Sequence, residues 1–369
     1  MSKNVLILLA SRGRGGVEKR FINYVCYLAN KNESSHTYSF LVNRNILLDS
    51  EYAVLLQSKR VKLITYKNIR IGNLRRLNTS ANVVSFYLKV LFLQKKNHFD
   101  VVHFSTFTSL HVFKMFKNSR KLVSVYTGFY PSLNYKLKHK LFQRSIYKTH
   151  YDCLSPLISD QLISTTAIAP KYVHTSPGSF IDLKNTQTKV EEKENKIVFL
   201  GGLNDQKGLN LLIKLIENWD KISGHYFLDI LGKGKGKEEV IEKINLLHLN
   251  NQIKLSYTDD PKRFLRKSKI FLSLQKGENY PSQSLLEAMA CKNAVIATDV
   301  GHTYKLVDDS NGIRINNSAE SIITGINTII KKIENDNSLF ENSRKKVLNN
   351  HSIEQFDAYL SSIYNELYK

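Results

Sequence analysis

Residues 271–301 read FLSLQKGENYPSQSLLEAMACKNAVIATDVG. Phe271–Leu274 and Ala294–Ala297 are apolar runs of strand length, and such runs suit a parallel sheet covered on both faces. Between them lie an acidic loop and a short helix, and the second strand closes on glycine. Ser282 or Ser284 can cap the helix, leaving N–H groups and the positive end of its dipole near Glu278 and Glu287. Ligands of open α/β sheets bind outside the carboxyl ends of the strands, so this loop is the candidate site.

The pattern recurs upstream. Residues 196–219, KIVFLGGLNDQKGLNLLIKLIENW, give a strand, a glycine turn at Gly201 and Gly202, and an amphipathic helix from about Gly208. Lys207 falls at the helix start, where charge and N–H groups together can hold an anion. Residues 227–247, FLDILGKGKGKEEVIEKINLL, give a strand, the glycines Gly232 and Gly234, and a helix. A lone G-x-G is weak evidence, more often a tight turn than a ligand loop, and Lys233, Lys235 and Lys237 are read equally well as solvated.

These motifs together resemble the donor site of glycosyltransferase family 4 (group 1), whose members are retaining enzymes of the GT-B fold. The resemblance rests on a loop glutamate, an aromatic-Pro pair, LLEAMAC, a strand and DVG, preceded by an element similar to strand-GRL-x-x-x-KG-helix. It implies that Glu287 holds the nucleotide ribose, that Glu278 lies by the donor sugar, and that Lys207 stands by the diphosphate. Gly202 and Gly232 line the donor as backbone. The catalytic pair so implied is Lys207 and Glu278. Three departures stand out: the two glutamates are nine residues apart where relatives have eight, with Asn279 in the usual first position; Gly202 replaces an arginine; and Thr127 and Gly128 stand where many relatives carry a histidine. His103 is read either as a substitute for that histidine or as a plain strand-end residue. The bland alternative for Glu278, Glu287 and Lys207 is a set of solvated charges at helix ends.

The N-terminal half supplies a matching domain. Residues 3–10, KNVLILLA, read as a strand, 11–16 as a glycine-rich loop, and 17–30 as a helix with an apolar face of Val17, Phe21, Tyr24, Val25 and Leu28. Gly15 and Gly16 resemble the family's acceptor-side loop, which implies an approach to the donor diphosphate when the domains close. A Pro-Gly turn at 177–178 and the polar stretch 183–196 mark a hinge, and Asp182 matches the aspartate ending the family's comparable turn. Residues 351–369 carry a helical apolar face of Ile353, Phe356, Tyr359, Leu360, Ile363 and Leu367. The expected fold is therefore α/β, two Rossmann-like doubly wound domains facing across a cleft. Residues 1–185 form the acceptor-side, membrane-facing domain, 186–350 the donor-binding domain, and 351–369 a helix returning to the first.

Composition fits this layout, since 369 residues with 42% hydrophobic content suffice for two cores. Cys26, Cys153 and Cys291 are far apart and lack metal spacing, as expected of reduced cytosolic thiols. No apolar run reaches the length of a membrane span, and the start is too short for a signal peptide. The net charge of +22 is lopsided: residues 1–190 hold 29 Lys and Arg against 8 Asp and Glu, and residues 191–369 hold 25 against 24. That asymmetry points to an anionic partner. Residues 131–152 intersperse Leu137, Leu141 and Ile146 with Lys136, Lys138, Lys140, Arg144 and Lys148, the pattern of a basic amphipathic helix in a membrane interface. Lys59–Lys96 could widen the patch; a solvated charged face is the plain alternative for both. No nucleic-acid-binding motif appears, so nucleic acid is not expected as a partner.

The expected partners are a nucleotide-sugar donor, a glycan or lipid-linked acceptor and an anionic membrane surface, and the expected location is cytoplasmic, peripheral at the inner face of the cell membrane. No cofactor or metal is called for, because Asp259-Asp260 and Asp308-Asp309 lack the strand-flanked D-x-D pattern. The expected activity is retaining hexosyl transfer from a nucleotide sugar, with UDP favoured, in cell-surface polysaccharide synthesis. Two rivals are a catalytically idle GT-B binding protein and a nucleotide-sugar epimerase.

Overall fold

The computed structural model describes residues 2–11, 13–67, 75–126, 149–166, 168–181 and 192–368. The chain divides into two compact units, one of residues 1–177 with 356–369 and one of residues 178–355.

The first unit is built on seven parallel strands: β1 (Asn4–Leu9), β2 (Thr37–Asn43), β3 (Val61–Tyr66), β4 (Val101–Phe104), β5 (Arg120–Val125), β6 (Thr149–Cys153) and β7 (Val173–Thr175). Their order is β3-β2-β1-β4-β5-β6-β7, so the winding reverses between β1 and β4. Strands sealed by helices on both faces cannot alternate, and Val5, Leu6, Ile7, Leu8 and Leu9 are all fully buried. Helices α1 (Gly16–Asn30), α2 (Asp49–Gln57), α3 (Arg75–Lys96) and α4 (Pro156–Thr165) lie in this unit. On α1 the expected face is realised by Phe21, Tyr24, Val25 and Leu28, whereas Val17 stays half-exposed.

The second unit has six parallel strands: β8 (Glu194–Leu200), β9 (Phe227–Leu231), β10 (Ile253–Ser256), β11 (Ser268–Ser273), β12 (Ala294–Thr298) and β13 (Gly312–Ile315). They run in the order β10-β9-β8-β11-β12-β13, with the reversal between β8 and β11. Helices α5 (Leu209–Glu217), α6 (Lys237–Leu246), α7 (Lys262–Lys267), α8 (Gln283–Ala290), α9 (Ala319–Asn335) and α10 (Ser338–Asn350) accompany them. One face packs Leu212, Leu215 and Ile216 with Ile326, Ile329 and Ile330; the other packs Leu285, Leu286 and Met289 with Leu306 and Val347. Each such side chain contributes about 1.5–3 kcal/mol by leaving water.

The last helix, α11 (Ile353–Glu366), belongs to the first unit from Phe356 onward. Its apolar residues Phe356, Leu360, Ile363 and Tyr364 are buried, and its polar groups find partners on β6 and at α1 of the first unit. Tyr359 donates to Asp152 Oδ1 at 2.8 Å, Tyr24 donates to Asp357 Oδ1 at 2.9 Å, and Lys31 pairs with Asp357 Oδ2 at 2.6 Å.

Candidate functional site

In the second unit Gly202, Lys207 and Gly232 lie in the loops after β8 and β9, beside the reversal of the strand order, Glu278 lies in the loop after β11, and Glu287 lies on α8. Two glycine turns make the floor. Gly201 N–H donates to Leu231 O and Leu203 N–H to Lys233 O, which lays the turn after β8 against the turn after β9. A side chain at Gly232 would put its Cβ 2.1 Å from Gly201 O, so only glycine permits that approach. Gly202 has its own neighbour, since a Cβ there would meet Asn204 Nδ2 at 2.9 Å.

Lys207 ends a 3-10 turn, Asp205–Lys207, whose N-cap Asn204 accepts from the Lys207 N–H. Its Nζ reaches Gln275 Oε1 at 3.1 Å, linking the loop after β8 to the loop after β11. Burial pushes the Lys207 ammonium below its ordinary range. Beside it, Lys276 Nζ pairs with Asp205 Oδ1 at 2.5 Å.

Glu278 and Asn279 take opposite courses. Asn279 is buried and bonded to Ser273 and Gln275, so it serves the fold of the loop. Glu278 turns to the loop after β12, where the His302 ring nitrogen Nδ1 lies 2.7 Å from Oε2 and the His302 N–H donates to Oε1 at 2.9 Å. The Tyr280 N–H also donates to Oε1, at 2.9 Å. Burial pushes this carboxyl up, but the bonds from the His302 ring and from the two N–H groups outweigh it and hold the group below the usual glutamate range. The glycine of DVG makes room: Gly301 has φ +50°, and a Cβ on it would stand 2.6 Å from Glu278 Oε2.

Ser282 occupies the N-cap of α8, but its side chain caps no N–H, and its Oγ lies 3.4 Å from Ser284 Oγ. Glu287, one turn further, is half-exposed and accepts from Gln283 Nε2 at 3.1 Å.

Gly15 and Gly16 lie in the other unit, at the start of α1. Glu18 reaches back to accept from the Gly15 N–H at 2.9 Å, so a carboxylate already sits at this helix end. A Cβ on Gly16 would meet nothing within 4 Å. His103 is a core residue: fully buried on β4, it has Tyr364 OH at 2.8 Å from Nδ1 and Ser124 Oγ at 2.8 Å from Nε2. Burial, then the Arg20 charge, bring its imidazole down to about 3. The plain reading of this histidine therefore holds. Thr127, Gly128, Asp182 and the stretch Lys136–Lys148 lie outside the described residues.

His302 went unread in the sequence. Its only signal is an ionisable residue directly after DVG, and its partner Glu278 is 24 residues away.

Two doubly wound parallel sheets, of seven and six strands, are the architecture of the GT-B fold. Similar solved structures span the whole chain. The glycosyltransferase from Rickettsia africae ESF-5 is 17% identical over 100% of this chain and 99% of its own, with a TM-score of 0.75. Alr3699/HepE of Anabaena, solved in complex with UDP and glucose, is 16% identical over 99% and 100%, at 0.72. Sucrose-phosphate synthase of Thermosynechococcus elongatus is 13% identical over 99% of each chain, at 0.68. Residues 181–346, inside the second unit, match the family model for glycosyl transferases group 1. No curated protein sequence matches the chain.

Proposed function

We propose that the protein is a retaining, metal-independent glycosyltransferase that moves a sugar from a nucleotide sugar, with UDP favoured, to a glycan or lipid-linked acceptor in cell-surface polysaccharide synthesis. The observation that carries this is a pair of interlocked glycine turns at the switch point, with Lys207 bonded across to the loop after β11, inside the segment matching glycosyl transferases group 1. The UDP complex of the Anabaena protein supports the choice of nucleotide.

In this reading the second unit binds the donor and the first faces the acceptor. The acceptor oxygen bonds to the anomeric carbon on the face from which the diphosphate departs with its electron pair. Lys207 stabilises the leaving charge from a half-buried position, where a preorganised cation counts for several kcal/mol. Glu278, fixed by His302, lies by the donor sugar, and Glu287 takes the ribose. Gly15 and Gly16 approach the diphosphate on closure.

The first unit rests on the cytoplasmic face of an anionic membrane. Its charge excess supports this, and so does α3, which exposes Val84, Tyr87, Leu88 and Phe92 among Lys89, Lys95 and Lys96. No helix among the described residues is long and apolar enough to cross a membrane.

One observation favours a second reading, a binding protein without turnover: three donors already engage the Glu278 carboxylate. A nucleotide-sugar panel separates the two. The matching donor stabilises the folded chain in a thermal shift under either reading, but only an enzyme releases the nucleoside diphosphate. If no nucleotide sugar shifts the unfolding temperature, both fail.

A further inference from the structure

Away from the donor residues, the far edge of the first sheet brings together His150, His174 and Glu366. His150 is on β6 and His174 on β7. Those strands pair in parallel with Asp152 opposite His174, and side chains two apart on a strand share a face, so both imidazoles stand on one side of the edge. Helix α11 crosses that side. Tyr359 OH reaches Asp152, and Glu366 follows seven residues later on the same helical face.

The result is a compact donor set. His150 Nδ1 and His174 Nε2 are 2.7 Å apart, and His174 Nδ1 is 4.0 Å from Glu366 Oε2. With one ligand atom from each residue, all three atoms lie within 4.8 Å of one another. The two imidazole planes are nearly parallel, at 12°, and the Tyr172 ring meets His150 edge to face with the centroids 5.2 Å apart. We propose that His150, His174 and Glu366 form a binding site for a first-row divalent cation such as Zn²⁺, clipping the end of α11 to the sheet edge.

Two imidazoles and a carboxylate are the ligand types that zinc takes, and three protein ligands leave a fourth position for water. Zn–N bonds of about 2.0–2.1 Å at a tetrahedral angle need nitrogens about 3.3 Å apart. The 2.7 Å pair thus has to open by only about 0.6 Å, within reach of small side-chain rotations. Metal binding requires neutral imidazole. Burial, then the neighbouring His174, hold His150 down to about 4, with Arg120 acting the same way and Glu366 against it; burial also lowers His174, opposed by Glu366 and Asp152. The proton shared across the 2.7 Å pair has to leave the ligating nitrogen when the ion enters. The sequence hides the site because its ligands come from residues 150, 174 and 366 with no short spacing.

The test uses the untagged full chain, stripped with a chelator and titrated with Zn²⁺ against a chromophoric competitor. One zinc per chain is expected, with a higher unfolding temperature. Co²⁺ in its place should give the visible bands of a four-coordinate ion. His150→Gln and His174→Gln, which keep polar side chains and the fold by circular dichroism, should each lose the bound equivalent, the cobalt bands and the thermal shift. Glu366→Gln should weaken binding without abolishing it. Failure of the wild type to bind zinc would overturn the proposal. So would a stoichiometry and cobalt spectrum unchanged in the folded double glutamine variant, since the other nine histidines would then account for the metal.

Discussion

Gly208→Ala should cripple the second unit while sparing the first. Gly208 lies between the Lys207 turn and α5 with φ +83°, in the left-handed region, where an L side chain costs roughly 1–2 kcal/mol. Sterics add to this. The new Cβ would stand 1.8 Å from the backbone oxygen of Leu274, whereas real contacts of this kind do not fall below 3.0 Å, so the two loops have to part by 1.2 Å. Leu274 is 1% exposed and belongs to the larger core of this unit, so it has no free direction to move; overpacking of this kind costs about 1–3 kcal/mol. Together the loss is about 2–5 kcal/mol, and at a urea dependence of about 2 kcal/mol per M the midpoint should fall by about 1–2.5 M. The chain offers a selective probe. Its single tryptophan, Trp219, is buried in the second unit with its Nε1 donating to Gln252 Oε1 at 3.0 Å, so its fluorescence follows that unit, while circular dichroism follows both. Gly16→Ala is the control, since its Cβ enters open space in the other unit and should leave the fluorescence midpoint in place. A Gly208→Ala midpoint within about 0.3 M of wild type would refute the steric reasoning.

Three further outcomes follow from the site. Lys207→Ala should cut transfer about 10²–10³-fold, mainly in kcat, because the leaving-group charge peaks in the transition state; Glu287→Ala should act mainly on nucleotide affinity, and wild-type kinetics in both would remove the donor assignment. Because Glu278 is held below its unfolded value, the unfolded chain takes up the proton first as pH falls. Its contribution to stability is therefore full above the ordinary glutamate range and is lost as pH falls through the depressed value, so wild type and Glu278→Gln should converge in urea midpoint on acidification. A gap that stays constant from about pH 7 to about pH 3 would contradict the hydrogen-bonded carboxylate. Finally, vesicles containing anionic lipid should sediment the protein at low salt, and neutral ones poorly. Changing Lys136, Lys138, Lys140 and Arg144 to glutamine should lower that binding and spare donor hydrolysis; equal binding to both vesicle types would dismiss the membrane reading.

Much of the second unit was legible because its signals are local. Apolar runs bounded by glycine placed β11 and β12, and the turn at Gly201–Gly202 and the start of α5 at Leu209 came from one contiguous string. The doubly wound sheets follow from such alternation of strand and helix. What escaped depends on how loop residues meet in space. Nothing near Glu278 announces that its carboxylate nests over Gly301 and pairs with His302, and nothing near Asn279 tells that it is sealed into its own loop. The uncapped Ser282 escaped for a related reason. Serine before a helix reads as a cap, but its hydroxyl lies by Ser284 instead.

The first unit's dependence on residues 356–369 has a consequence for how the protein is made. A ribosome delivers residues 178–355, everything the second unit contains, before it delivers the helix that covers Tyr24, Asp152 and His103 in the first. The N-terminal unit, first to be translated, is thus the last that can be finished, and it must wait about 10–40 s at usual elongation rates with those polar groups lacking their final partners. Cutting the chain after residue 177 would not yield a smaller version of that unit but an unfinished one. Joining residues 356–369 to it through a short linker would supply the missing piece.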